Sequence, residues 1–347
     1  MPRTASTVES ILSRAWLRRG LLACALWPLS TFFGSLLALR RALYRLGWLA
    51  SVQLPVPVII VGNVFVGGTG KTPLTIWLVD ALRAAGRVPG VISRGYGSSS
   101  AEMPRLVSVD ATPQQVGDEP LLIARRAQCP VMVGRDRVAA GQALLAAHPE
   151  IDCIVSDDGL QHYRLARDVE IVLYDGRGAG NGWLLPAGPL REPATRRSDF
   201  TVINLAEGAD VPAGMPADAY RMVLAGAVAQ RLCDPAQQLW LQELILLPGR
   251  IVAAAGIGNP ARFFATLRQA GLDFEELPLP DHYDFVVNPF GNIAADIILI
   301  TEKDAVKCVL ATELKNDPRL WVVPVTAHLN GALAQRILEK CRGQSTT

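Results

Sequence analysis

Short apolar runs alternate with segments of helical periodicity along most of the chain beyond residue 50. Runs rich in valine and isoleucine predict buried strands at 56–61, 88–93, 131–133, 153–156, 170–174 and 201–204. Between them, apolar residues at helical spacing predict helices at 72–85, 119–127 and 135–147. Continuous apolar strands separated by helices are typical of a parallel sheet with both faces covered. The pattern therefore predicts an α/β fold with helices on both faces of a parallel sheet.

A second α/β series follows after a weaker stretch at 220–247. Apolar runs predict strands at 251–255, 297–301 and 321–325, and helical spacing predicts helices at 260–270 and 331–340. We therefore predict a larger domain at 51–219, a linker at 220–247 and a smaller α/β domain at 248–342. The end of the chain, 343–347, consists of small and polar residues and is expected to be an unstructured tail.

An uncharged run occupies residues 20–39, with arginines on both sides. As a helix it would be ~30 Å long at ~1.5 Å per residue, which is enough to cross the hydrocarbon core of a bilayer. Just before it, apolar residues follow the spacing of an amphipathic helix that lies on a membrane surface: Val8, Ile11, Leu12, Ala15 and Trp16. We predict that residues 1–50 anchor the protein to a membrane.

The mode of anchoring stays open at this point. The run either crosses the bilayer once or enters one leaflet only. Pro28 is expected to kink a helix, and the flanking arginines give the positive-inside rule no preferred orientation. A buried helix of a soluble protein is the remaining alternative, although core helices rarely lack charges over such a length.

Composition excludes several classes of function. The net charge of +2 on 347 residues gives no electrostatic case for binding nucleic acid. Six cysteines without a C-x-x-C pair indicate reduced thiols in the cytosol, where disulfides are rare. The four histidines do not cluster with cysteines at the spacing of zinc ligands.

A glycine-rich loop lies between the first predicted strand and the first predicted helix. It ends in Gly70-Lys71-Thr72, where backbone N–H groups and the start of a helix favour bound phosphate. The lysine is placed to reach the β- and γ-phosphates of a nucleotide, and the threonine hydroxyl to bind Mg²⁺. The first glycine of the usual G-x-x-x-x-G-K-[ST] pattern is replaced by Phe65. The residues predicted to bind the nucleotide are Gly67, Gly68, Thr69, Gly70, Lys71 and Thr72. The alternative is an ordinary glycine turn.

Two carboxylates, Asp157 and Asp158, follow the apolar run 153–156. Enzymes with a phosphate-binding loop place an acid next to Mg²⁺ at such a strand end. Strand ends also carry aspartates simply as turn formers, so the loop upstream is what favours a metal site here. Which of the two carboxylates contacts Mg²⁺ is left open.

Other polar residues also follow predicted strands or open predicted helices. Asp118 and Glu119 open one helix, where the alternative is a helix cap. His282 follows a proline-rich turn and would ordinarily be a surface residue. Two arginines suit a fixed contact with an anion, although surface ion pairs are an equal alternative. They are Arg137, at a helix start, and Arg191, in a loop with three prolines. A strand end is expected to line the substrate cleft with Ser93, Arg94, Gly95 and Tyr96.

Taken together, these motifs resemble one family, the tetraacyldisaccharide 4′-kinases, which are the lipid A 4′-kinases of Gram-negative bacteria. The resemblance covers nearly the whole chain, and the ordered set of motifs is specific although each alone is not. It rests on the apolar N-terminal run and on 62–73, 93–97, 117–120, 157–162, 185–193, 256–260, 263–264, 281–282 and 301–307. Tyr283 departs from the family pattern, where a second histidine is expected.

The resemblance implies transfer of the γ-phosphoryl group of ATP to the 4′-hydroxyl of a tetraacyl glucosamine disaccharide 1-phosphate. It implies Asp118 as the base, assisted by His282 from the second domain. Phosphate charge would be held by Lys71, Arg137 and Arg191. Mg²⁺ would be organised by Thr72 and Asp157, with Glu119 and Asp158 as further candidates. The substrate lipid implies an enzyme on the inner membrane with its catalytic domains facing the cytosol.

Four alternative functions compete with this one. A GTPase would need [NT]-K-x-D, but Lys303 stands one place too late in Thr301-Glu-Lys303-Asp304. A partitioning ATPase would need a lysine early in the loop, where Val66 stands. The third alternative is another membrane-associated kinase with a phosphate-binding loop. The fourth is a noncatalytic membrane scaffold, which would need neither the loop nor the acidic residues.

Overall fold

The structure is a computed structural model that describes residues 15–95, 104–108 and 110–342. Most of the amphipathic segment predicted before residue 20 lies outside the described residues, as do Tyr96 and the tail at 343–347.

The described residues form strands in two sheets, here numbered in chain order. Those strands are β1 Val58–Asn63, β2 Pro89–Ser93, β3 Arg105–Leu106, β4 Val131–Val133, β5 Cys153–Asp157, β6 Val169–Asp175, β7 Phe200–Asn204, β8 Tyr220–Ala225, β9 Val228–Arg231, β10 Gln238–Trp240, β11 Ile251–Ala255, β12 Glu275–Pro278, β13 Ile297–Thr301, β14 Leu320–Val323 and β15 Thr326–Leu329.

The larger sheet, which defines the first domain, has nine strands in the order β15-β8-β7-β6-β1-β5-β2-β4-β3. Its strands are parallel from β8 to β4, and the two edge strands β15 and β3 run antiparallel to their neighbours. The smaller sheet defines the second domain, with six strands in the order β10-β9-β14-β13-β11-β12. Its parallel part comprises β14, β13, β11 and β12. Both sheets agree with the α/β prediction.

The helices are α1 Leu21–Arg45, α2 Lys71–Ala84, α3 Pro113–Val116, α4 Asp118–Ala127, α5 Arg137–Ala147, α6 Leu241–Leu244, α7 Pro260–Gln269, α8 Glu302–Cys308, α9 Thr312–Lys315 and α10 Ala332–Arg342. Apolar residues of α2, α4 and α10 share one core on the first sheet. Apolar residues of α5 contribute to a separate core. The two cores use alternate residues of the central strands, Ile59 and Val61 in one and Val58 and Ile60 in the other, so both faces of the sheet are covered.

The structure corrects the predicted domain boundaries. The segment 220–247 is not a linker, because β8 belongs to the first sheet while β9 and β10 belong to the second. Residues from 326 onward were assigned to the second domain, yet β15 pairs with β8 and α10 packs on the first domain. The physical reason is the apolar face of α10, which buries Leu333, Ile337 and Cys341 in the core beside α2.

Helix α1 contains most of the predicted apolar run and continues past Pro28 without a break. In the described part of the chain it alone is long and apolar enough to cross a membrane, and 11% of its most apolar window is buried. It contacts the first domain in its N-terminal half and again near its C-terminal end. The hydroxyl of Ser30 donates to the carbonyl of Leu184, and the Tyr44 ring lies 5.7 Å from the Tyr163 ring.

Candidate active site

The glycine loop follows β1 and leads directly into α2, as the sequence predicts. Gly70 precedes the first residue of α2 and has φ 102°, a left-handed conformation that favours glycine. A side chain there would also clash with Nδ2 of Asn204, at the end of β7. That same amide donates to the carbonyl of Thr69 at 2.8 Å. The neighbouring strand therefore fixes the path of the loop.

Lys71 is held at the mouth of the loop by polar partners. Its Nζ donates to Oδ1 of Asn63 at 3.0 Å and lies 3.8 Å from Oδ1 of Asp158. The amide of Asn63 in turn donates to the carbonyl of Gly67 at 3.2 Å. The sequence analysis missed Asn63, although a polar residue at the end of an apolar strand was a usable signal.

Asp157 ends β5 and is 1% exposed. Its carboxylate accepts hydrogen bonds from the hydroxyls of Thr75 at 3.4 Å and Ser93 at 3.2 Å. Burial, reinforced by the negative charge of Glu119, raises the pKa of Asp157 to about 7. The hydroxyl of Ser93 thus faces the acid, while its predicted contact with substrate stays a prediction, as do those of Arg94 and Gly95.

Asp158 is the neighbouring carboxylate and has two cationic partners. Arg191 Nη1 lies 3.2 Å from its Oδ2, opposite the contact with Lys71. Burial alone would raise the pKa of Asp158, but the charges of Lys71 and Arg191 outweigh burial and lower it. The loop that carries Arg191 is fixed beside the glycine loop, since its backbone N–H donates to the carbonyl of Val64 at 2.7 Å.

Arg137 is fully buried, which excludes the surface ion pair that the sequence left open. Its guanidinium donates to the carbonyls of Gly134 at 2.7 Å and Asp157 at 3.1 Å. Burial lowers the pKa of Arg137 to about 10, so it remains a cation at neutral pH. Its positive charge lies directly behind the pair Asp157 and Asp158.

Asp118 and His282 meet across the two domains. Nδ1 of His282 lies 3.0 Å from Oδ2 of Asp118. Asp118 is the first residue of α4, with Gly117 in the capping position, so the cap predicted as an alternative is not its role. Its Oδ1 accepts a hydrogen bond from the N–H of Glu119 at 3.0 Å, which orients the carboxylate.

Two lysines of α8 complete this cluster, and the sequence analysis did not assign them a role. Lys303 Nζ lies 3.1 Å from Oε1 of Glu119 and 4.0 Å from Oδ2 of Asp118. Lys307 Nζ lies 3.8 Å from the same Asp118 oxygen. Their spacing of four residues, which places both on one face of a helix, was the available signal.

The charges in this cluster act on the pKa values of the pair. Burial alone would raise the pKa of Asp118, but the hydrogen bond with His282 and the charge of Lys303 lower it. The same hydrogen bond raises the pKa of His282 above its ordinary value of 6.5. Asp118 is therefore ionised at neutral pH.

A cleft of about 170 Å³ separates the glycine loop from the second domain. Residues of the loop line one side, and Gly258, Asn259 and Lys303 line the other. Arg262 ties the two domains together, since its Nη2 donates to the carbonyl of Asn204 at 2.9 Å. Apolar side chains near the cleft suit the flat ring of a nucleotide base: Ile76, Leu122, Leu224, Ile257, Phe263, Val323 and Val325.

The sequence places this site in a known family. Residues 22–342 match the family described as tetraacyldisaccharide-1-P 4′-kinase. The chain belongs to this family. Two curated relatives named tetraacyldisaccharide 4′-kinase support the assignment over their full length. The kinase from Janthinobacterium sp. (strain Marseille) is 64% identical over 344 residues, and the one from Herminiimonas arsenicoxydans is 62% identical over 353 residues. Each alignment covers 98% of this chain and 98% of the relative.

A solved structure of this kinase family has the same fold. It is LpxK from Aquifex aeolicus in complex with ATP, which is 28% identical and superposes with a TM-score of 0.75. The match covers 92% of this chain and 99% of that one. The family, the fold class and the kinase activity predicted from the sequence are therefore confirmed.

Proposed function

We propose that Asp118 is the base of this kinase and that the glycine loop presents ATP to it. The reaction is the ATP-dependent phosphorylation of the 4′-hydroxyl of a tetraacyl disaccharide 1-phosphate in lipid A biosynthesis, as membership of the family establishes. The observation that carries the residue-level proposal is the contact between Asp118 and His282. It lies next to Glu119 and Lys303, which line the cleft together with the glycine loop.

The nucleotide is held by the loop and by Lys71. The backbone N–H groups of residues 67–72 and the N-terminus of α2 attract the phosphates, and Lys71 reaches the transferred group. Asp158 holds Lys71 and Arg191 in place beside the glycine loop. Both cations are then available to the phosphate oxygens with little rearrangement, which is how a site organised in advance lowers the barrier to phosphoryl transfer.

The acceptor hydroxyl gives its proton to Asp118. A base within hydrogen-bond reach contributes about 10²–10⁴-fold to such a step. His282 donates a hydrogen bond to Oδ2 of Asp118, and the N–H of Glu119 donates one to Oδ1. Together the two hydrogen bonds orient the carboxylate. His282 and Lys303 keep the carboxylate ionised before the acceptor arrives.

The residues at the end of β5 fit a magnesium ion. Asp157 is a buried carboxylate whose hydrogen bonds come from two hydroxyls, and its neighbours Asp158 and Glu119 add negative charge. In the described part of the chain no three acidic or metal-ligating side chains surround one point. Mg²⁺ with a nucleotide needs only one or two carboxylates, because phosphates and water supply the rest. We assign Asp157 and Thr72 as its ligands, and the ion would neutralise charge on the phosphates.

Arg137 and Arg191 have different parts in this proposal. Arg191 is part-exposed and shares Asp158 with Lys71, so we expect it to contact the phosphate group. Arg137 is buried behind the acids, with its N–H groups on backbone carbonyls, and it acts through the charge it places behind Asp157 and Asp158. Only Arg191 is therefore expected to touch the substrate.

Helix α1 is proposed to lie in one leaflet of the inner membrane, with the catalytic domains on the cytosolic side. A helix that crosses a bilayer lies in lipid over its length, whereas α1 contacts the first domain at Ser30 and again at Tyr44. The side turned away from the domain is apolar and exposed, with Phe32 at 64% and Leu46, just beyond the end of the helix, at 68%. Such a helix places the cleft near the membrane surface, where the acylated acceptor is held.

One assay tests the activity. The purified protein is incubated with radiolabelled ATP and the tetraacyl disaccharide 1-phosphate, and the label is expected on the lipid. A parallel reaction with GTP in place of ATP tests for a GTPase. A reaction without lipid measures simple hydrolysis of ATP. Label that appears only in inorganic phosphate would contradict the proposal.

A second experiment tests the anchoring. Substitution of Phe32, Leu39 and Leu46 by aspartate should release the protein from membranes into the soluble fraction, because three charges would enter the lipid. Carbonate washing separates the two modes of anchoring, since a helix lying in one leaflet is extracted more readily than a spanning one. Full resistance to carbonate would favour a span.

A further inference from the structure

A basic pocket lies between the C-terminal end of α1 and the first domain. Its volume is about 350 Å³. It is lined by five arginines and one glutamate: Arg41, Arg45, Arg167, Arg196, Arg197 and Glu170. We call it the arginine pocket. It is separate from the cleft that the glycine loop lines, and the catalytic proposal makes no use of it.

Two of these arginines are neutralised by carboxylates. Arg167 Nη1 lies 2.8 Å from Oε1 of Glu170, and Arg196 pairs with the same oxygen and with Glu192. The other three behave differently. No carboxylate of the described residues forms an ion pair with Arg41, Arg45 or Arg197. The pocket therefore carries positive charge that the described residues do not neutralise.

Tyr163 gives the pocket a rigid aromatic wall. The guanidinium groups of Arg167 and Arg196 lie 5.5 Å and 5.7 Å from the centre of its ring. Arg196 also donates to the Tyr163 hydroxyl at 3.0 Å. On the side of the helix, the Tyr44 ring packs on the same residue. Side chains of α1 and of the first domain therefore both contribute to the pocket, with Tyr163 as their shared contact.

The arginine pocket and the exposed apolar residues of α1 lie on opposite sides of the helix. Ala23 and Ser30, both buried against the domain, share a helix side with Arg41 because their spacings of seven and eleven residues return to the same face. The opposite side carries Leu21, Phe32, Leu39 and Leu46, which are exposed. If this apolar side enters the acyl layer, the arginines lie above it at the level of the headgroups.

We propose that the arginine pocket binds the phosphate of an anionic phospholipid headgroup and thereby orients the kinase on the leaflet. This proposal rests on the membrane association proposed above for α1. Guanidinium groups match phosphate oxygens in geometry as well as charge. Basic groups next to a membrane helix attract anionic lipids in addition to any such fit. A lipid phosphate is favoured over a free one, because the pocket opens beside the helix whose far side is apolar.

The test measures binding to vesicles of phosphatidylcholine alone and of phosphatidylcholine mixed with phosphatidylglycerol. The variant R41A/R45A/R197A removes the unpaired charges. The control R250A/R268A/R336A removes three exposed arginines that bond to Glu275, Glu276 and Tyr220, outside the pocket. Each arginine near an anionic surface contributes about fivefold to binding. The pocket variant should therefore lose about 100-fold in its preference for the mixed vesicles, while the control loses far less.

Kinase activity gives a second readout. In detergent micelles without phosphatidylglycerol, the pocket variant should turn over lipid at the rate of the unaltered protein. On mixed vesicles its turnover should fall, because the enzyme is no longer held in a productive orientation. Equal melting temperatures of variant and control establish that folding is not the cause.

The outcomes separate this proposal from the one it rests on. Equal loss of preference in the variant and the control would overturn the pocket but leave the anchoring of α1 intact. Full competition by millimolar inorganic phosphate would overturn the lipid as the ligand. If the unaltered protein binds neither kind of vesicle, the anchoring itself fails.

Discussion

Nδ1 of His282 lies 3.0 Å from Oδ2 of Asp118, although 164 positions separate the two residues in the chain. One comes from the start of α4 in the first domain and the other from the loop after β12 in the second. Lys303 of α8 adds a further bridge to Glu119 at 3.1 Å. Any movement of the second domain away from the first would therefore separate Asp118 from His282. If Asp118 is the base, as we propose, its activation depends on this contact between the two domains.

Replacing Asp118 by asparagine tests the base. The amide keeps the shape of the side chain but cannot take the proton, so kcat should fall by about 10²–10⁴-fold while the KM for ATP changes little. Turnover with saturating lipid and ATP measures the effect. Asp218→Asn, an exposed carboxylate outside the site, is the matched control and should leave kcat unchanged. A loss of less than about tenfold in Asp118→Asn would exclude the proposed role.

The pair should make interdomain stability depend on pH. The pKa of His282 is raised above 6.5 by its hydrogen bond with Asp118. The stabilisation that His282 contributes is therefore complete below pH 6.5 and is lost as the pH rises through its raised pKa. The pKa of Asp118 is lowered, so its own contribution holds above 3.8 and is lost as the pH falls through the lowered value.

The measurement is the difference in melting temperature between the unaltered protein and His282→Gln. It should be largest at about pH 6 and shrink toward about pH 9. The difference in melting temperature should be modest, because the His282 side chain is 35% exposed and the positive charge of Lys303 lies 3.4 Å from its Nε2. A difference that grows as the pH rises would contradict the pairing.

Lys71→Ala should remove the cation that reaches the transferred phosphate. Turnover is expected to fall by at least about 10²-fold, in line with the loss of one group that stabilises the transition state. Affinity for ATP, measured by calorimetry, should fall as well. Lys315→Ala, on the exposed side of α9, is the control for a lost lysine. An active Lys71→Ala variant would refute the assignment of the loop.

The magnesium requirement should identify which carboxylate binds the ion. Chelation by EDTA should stop the reaction, and added Mg²⁺ should restore it. In Asp157→Asn the Mg²⁺ concentration for half-maximal activity should rise by at least about tenfold. In Asp158→Asn the KM for ATP should change instead, because Lys71 and Arg191 lose the carboxylate that holds them. The reverse pattern would make Asp158 the ligand.

Much of the first domain could be predicted because its strands are buried on both sides. The run at 153–156 contains only apolar residues and a serine, so β5 was located within one residue of its end. The loop at Gly70 could be predicted because a glycine-rich run ending in Gly-Lys-Thr stands between a predicted strand and a predicted helix. The structure has the same order of elements. Local sequence patterns are sufficient to predict a strand where all of its residues are buried.

Features that depend on contacts between distant residues could not be predicted. The strand β8 has a mixed burial pattern, because it lies next to the edge of the sheet and pairs with β15 from the far end of the chain. Lys307 is 6% exposed beside Asp118, yet a lysine in a helix reads from sequence as a solvent-facing residue. Only the folded arrangement brings α8 against α4.

The chain leaves the first domain at Ala225 and re-enters it at Thr326, and these two residues are paired partners in adjacent antiparallel strands. A two-residue Asn-Gly turn in place of 226–325 would close a β-hairpin of an ordinary type. The last helix would keep its place on the core, since α10 packs beside α2. Deleting the second domain in this way would leave a shortened protein that keeps the glycine loop but lacks His282. Nucleotide binding could then be measured separately from phosphoryl transfer.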